Sequence, residues 1–80
     1  MQIFNISFPF RNQNRIANVQ FSEATSSYTI YFTDVELVLE FGSKAEYVKA
    51  KGLELLKSGN DSELLKTAII RQLEDFPLAA

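Results

Sequence analysis

The chain has no cysteine, no histidine and no tryptophan among its 80 residues. Without cysteine there are no disulfides, thiolate nucleophiles or thiolate metal sites. Without histidine there is no imidazole base, no Ser-His-Asp triad and no histidine-ligated zinc. Only three glycines occur, at Gly42, Gly52 and Gly59, and they are too widely spaced for a phosphate-binding loop. Charge is also modest: eight basic and ten acidic residues give a net charge of −2. That balance argues against a strongly basic nucleic-acid binder, and 46% hydrophobic residues argue against disorder. No run approaches the ~18 apolar residues of a membrane span. The first ten residues carry no basic segment of the kind that opens a signal peptide. A single domain spanning residues 1–80, cytoplasmic and without a cofactor, is the expectation.

Hydrophobic periodicity places strands in residues 1–42. Phe4, Ile6, Phe8 and Phe10 alternate with Asn5, Ser7 and Pro9, the period of a half-buried strand. Pro9 cannot donate to a ladder, so this strand end lies at an edge or leaves the sheet. The segment 11–15 reads as a polar turn. Residues 16–21 form a second strand with Ala17, Val19 and Phe21 on one face, and residues 28–33 form a third, rich in β-branched and aromatic side chains. Residues 35–41 carry two patterns. As a strand, Val35, Leu37, Leu39 and Phe41 share a face. As a helix, Asp34 caps the start and Gly42 the end. Alternation favours the strand, although Thr33-Asp34 is a poor hairpin turn.

Residues 43–75 read as mainly helical, followed by a tail at 76–80. Ser43-Lys44-Ala45-Glu46 matches a capping box, and Ala45, Val48, Gly52, Leu55 and Leu56 follow in a helical stripe. A glycine inside a helix costs about 1 kcal/mol, so a hairpin turning at Ala50-Lys51-Gly52 is the alternative. The last helix has the clearest stripe, Leu64, Leu65, Ala68, Ile69 and Leu73, and ends before Pro77. The predicted fold class is therefore α+β: a small antiparallel β-meander of three to four strands, with C-terminal helices on one face. Its expected core is Phe4, Ile6, Phe8, Val19, Phe21, Ile30, Phe32, Leu37, Leu39, Leu65, Ile69 and Leu73.

Chemistry is sparse. Asp34, Glu36 and Glu40 lie close in sequence. On a strand Glu36 and Glu40 would stand roughly 13 Å apart, beyond the roughly 5–9.5 Å of paired catalytic carboxylates. A solvated sheet face accounts for them. The serines and threonines at 22–27 have no base beside them, and no Ser-x-x-Lys motif is present. These features predict no catalytic site and no metal site.

Binding is the expected activity. If Ile30 faces the core, Tyr31 and Thr29 face outward beside Asn18 and Gln20, a polar-aromatic face suited to a protein partner or a second copy of the chain. The expectation is a non-catalytic protein-interaction or regulatory domain, self-associating with Tyr31 at or near the interface. The alternative is a weak single-stranded nucleic-acid binder using residues 8–15, with Phe10, Arg11, Asn12 and Arg15 as contacts. Against it, residues 1–42 pair two arginines with four acids, and residues 43–80 balance six against six. The ending Leu78-Ala79-Ala80 resembles the Leu-Ala-Ala terminus that bacterial trans-translation adds to stalled chains. That resemblance covers three residues and implies regulated turnover.

Overall fold

The computed structural model describes residues 2–75. Seven elements follow in the order β1 (Gln2–Phe10), β2 (Gln13–Ser22), β3 (Ser27–Phe32), α1 (Val35–Phe41), β4 (Lys44–Val48), β5 (Gly52–Leu55) and α2 (Ser62–Asp75). The five strands form one antiparallel meander in sequence order, with α2 packed on it. The α+β class is as expected, but the sheet has five strands rather than three to four.

The first two strands follow from their alternation. Even positions of β1 and odd positions of β2 meet on one face, so that Ile6 lies opposite Ala17 and Phe4 opposite Val19. The two-residue turn at Arg11-Asn12 has φ of 54° and 61°. Positive φ at both central residues is the type I′ signature, whose twist matches that of the flanking strands. Pro9 sits on the outer edge strand, as its missing donor requires.

Two segments depart from the expected structure. Residues 35–41 are a helix, not a strand. Asp34 accepts a hydrogen bond from the Glu36 N–H at 3.0 Å, and the Gly42 N–H donates to the Val38 carbonyl. These end bonds satisfy groups that a seven-residue helix otherwise leaves open. Leu37 and Phe41, four residues apart, are buried on the same side. Leu39, expected in the core, is instead 70% exposed. Residues 44–55 are a hairpin, not a helix. Their turn is residues 49–51, followed by Gly52 at φ 86°. The capping-box reading of Ser43 and Glu46 fails because β4 pairs with β3, placing Glu46 opposite Thr29. Available edge pairing outweighs the helix propensity of the Lys, Ala, Glu and Leu residues there.

One core lies between the inner sheet face and the two helices. Ile6, Phe8, Val19, Ile30, Phe32, Leu37, Leu65, Ile69 and Leu73 are buried in it, as expected. Phe10, Ala17, Phe41, Ala45, Tyr47 and Leu53 join them. Phe4 is half-buried and packs against it, whereas Phe21, also expected there, is half-buried outside it. Phe21 stacks against Tyr28 at 4.8 Å, and Tyr28 against Tyr47 at 5.7 Å. The Leu78-Ala79-Ala80 ending lies outside the described residues.

Candidate functional site

Two polar constellations stand out. The first is a clasp at the turn end of the β1–β2 hairpin. Arg15 occupies an odd position in β2, in phase with Ala17 and Val19, so its side chain enters the apolar face, only 3% exposed. A buried guanidinium requires counter-charge. It donates to the Phe10 carbonyl and pairs with Asp34 at 2.8 Å and Glu36 at 2.9 Å. Asp34 thus divides its oxygens between Arg15 and the α1 N-terminus. Arg11, lifted over the turn, binds Glu40 through both terminal nitrogens at 2.6 and 2.7 Å and Glu36 at 2.8 Å. It also reaches the Asn60 carbonyl and Asp61, so one side chain ties the hairpin, α1 and the segment leading to α2 together. The Phe10 ring lies against both guanidiniums, with centroid distances of 4.8 and 5.9 Å.

These bonds shift the ionisations together. The Arg15 hydrogen bond lowers the Asp34 carboxyl below its ordinary range, and Arg11 does the same for Glu36 and Glu40. Both arginines are raised in turn, Arg11 chiefly by Glu40 and Arg15 chiefly by Asp34. All five groups stay charged near neutrality. The solvated sheet face expected for Glu36 and Glu40 is therefore replaced by an ion-pair cluster, because the helix brings them one turn apart.

The cluster also takes up most of the residues named at 8–15 as nucleic-acid contacts. Arg11 and Arg15 already have carboxylate partners, and Phe8 and Phe10 belong to the core. Asn12 alone of the four named contacts is exposed. One signal for the clasp was legible: a charged residue two positions before Ala17 on an apolar face, with three acids in the 34–40 segment.

The second constellation is the outer face of the sheet. Register places Asn18 opposite Tyr31 and Gln20 opposite Thr29, so the four residues read from the sequence do come together. Tyr31 is 37% exposed at the centre of this face. One cross-strand row runs Asn5, Asn18, Tyr31, Lys44, and the next Ile3, Gln20, Thr29, Glu46, Glu54. Asn18 donates to Asn5 at 3.2 Å, and Thr33 to the Ile16 carbonyl at 2.9 Å. Ile3 and Ile16 are exposed apolar residues on the same side. Both helices contribute their buried residues to the opposite side, so no described element covers this face.

No group of three or more metal-ligating side chains occurs among the described residues. No helix among them is long and apolar enough to cross a membrane. Comparison of the chain with protein families, curated proteins and solved structures finds no match.

Proposed function

We propose that this is a non-catalytic interaction domain that binds a protein partner through the outer face of its sheet. The observation that carries this reading is the registered patch of Tyr31, Asn18, Gln20 and Thr29, flanked by exposed Ile3 and Ile16, on a face that no described element covers. An amphipathic aromatic amid side-chain amides and hydroxyls is the composition of a recognition surface, where Tyr supplies area and the amides supply directional bonds. The absence of histidine and cysteine supports a binding role over a catalytic one. So does the pairing of the clustered carboxylates with arginine, which leaves them poor bases.

The test is photo-crosslinking in the native cell, with a benzophenone side chain at position 31 and, as control, at exposed position 51. A discrete protein adduct from position 31, absent from position 51 and lost on replacing Asn18 and Gln20 by lysine, is the expected result. Adducts from position 51 alone, or none from position 31, overturn the proposal.

A further inference from the structure

The two edges of the sheet are built differently, and the difference identifies a partner. The β5 edge is four residues long and carries Glu54, with Lys51 and Lys57 flanking it. Short length and charge are the usual protections of a sheet edge. The β1 edge is nine residues long and contains no charged residue between Gln2 and Phe10. Among the described residues it pairs with β2 alone.

Hairpin geometry shows which backbone groups of β1 face outward. A two-residue loop is closed by a hydrogen-bonded pair, here Phe10 and Gln13. Bonded and non-bonded pairs then alternate, so the even residues of β1 bond to β2. Ile3, Asn5, Ser7 and Pro9 direct their backbone groups away from the sheet. Pro9 fits this phase, since its missing N–H falls on the outer side and leaves the β1–β2 ladder whole.

We propose that β1 pairs antiparallel with β1 of a second copy, the two-fold axis passing beside Asn5. The register follows from where donors exist. With Asn5 opposite Asn5, Ile3 of each copy meets Ser7 of the other, and the three pairs form about six backbone hydrogen bonds. A shift toward Pro9 brings proline, which has no donor, into the pairing and gains no hydrogen bond, and a shift the other way shortens the overlap. An antiparallel homodimer sets each residue near its own symmetry mate, so a self-pairing strand must lack charge near the axis. β1 meets that condition. β5 does not, because Glu54 lies within its four residues and would be brought near its own symmetry mate. The product is a ten-stranded sheet that leaves Tyr31, two strands from the new seam, uncovered. This pairing is independent of the partner-binding role of the outer face.

The experiment uses the full chain. Sedimentation at about 100 μM, far above the ~1 μM Kd expected of such an interface, should show a dimer. Amide exchange should show Ile3, Asn5 and Ser7 protected at that concentration and unprotected when dilute. Phe4 and Ile6 should be protected at both. Asn5 is exposed, so Asn5→Lys and Asn5→Glu should each fold with the parent's circular dichroism. Each alone should associate ~100-fold more weakly, because like charges meet on the axis. An equimolar mixture of the two should restore the dimer. A monomeric parent overturns the proposal, as do single variants that dimerise like the parent or a mixture that stays monomeric.

Discussion

The two hairpins of this sheet reach the same architecture by opposite routes. β1–β2 alternates through most of its nine and ten residues, broken by exposed Ile3 and Ile16 and by buried Arg15, and turns in two residues at Arg11-Asn12. Its turn lies under an ion-pair clasp that draws in α1 and the approach to α2. β4–β5 has strands of five and four residues joined by a three-residue turn. It even sets Glu46 directly opposite Glu54 on the outer face, a like-charge pair that opposes pairing. The first hairpin encodes itself locally. The second exists because β3 offers an edge and the core accepts Ala45, Tyr47 and Leu53.

The largest expected effect separates the hairpins by burial. Phe8 is fully buried, and its replacement by alanine should cost about 3–5 kcal/mol. Leu53, a smaller side chain on the four-residue strand β5, where the chain can relax, should cost about 2 kcal/mol, the low end for Leu→Ala. Denaturant titration of both variants tests this order, and a reversed order would make the second hairpin the structural anchor. The next effect lies at the junction of α1 with the second hairpin. Gly42 has φ 99°, and a Cβ there would stand 2.6 Å from the Leu56 Cβ. Gly42→Ala should cost about 1–3 kcal/mol. Gly52, at φ 86° with open space around it, is the control. Gly52→Ala should lose only the backbone preference, about 1 kcal/mol. Equal melting temperatures for the two variants would dismiss the Leu56 contact.

Acid should act on the first hairpin. The carboxyls of Asp34, Glu36 and Glu40 are lowered in the fold, so the folded chain binds fewer protons than the unfolded one. Their stabilisation is whole above the ordinary carboxylate range and is lost as pH falls through the lowered values. Melting temperature should therefore drop steadily below about pH 5, where unfolded carboxyls begin to protonate. In Arg11→Gln the drop should be shallower. An identical pH slope in that variant would show that the clasp contributes nothing. The smallest effect belongs to the second hairpin. Glu54→Lys turns the repulsive pair into an attractive one and should raise stability by about 0.2–1 kcal/mol in chemical denaturation. A loss of stability there would mean that Glu54 has an opposing role.

Legibility followed the same division. Alternation read β1, β2 and β3, and the leucine–isoleucine stripe read α2, because each run was long enough for one period to prevail. In residues 35–41 the apolar residues alternate, while Asp34 and Gly42 carry helix caps. The caps prevailed, since the helix buries Leu37 and Phe41 together and brings Glu36 and Glu40 to Arg11. In residues 44–55 the only visible sign of the hairpin was Gly52. Of the two constellations, the outer face was legible because its residues share a phase along paired strands. The clasp showed in the sequence only as Arg15 on an apolar face, because the arginines and the acids of residues 34–40 lie 19 to 29 residues apart and converge through α1 and the residue before it.

By itself the sequence determined the α+β class, the first three strands, the last helix, most of the core and the absence of thiol and imidazole chemistry. These depend on the periodicity and identity of neighbouring residues. Tertiary structure decided the fate of the two short segments, the pairing of Arg11 and Arg15 with acids, and which edge of the sheet stands uncharged. Short segments carry too few residues for local preference to outweigh long-range pairing.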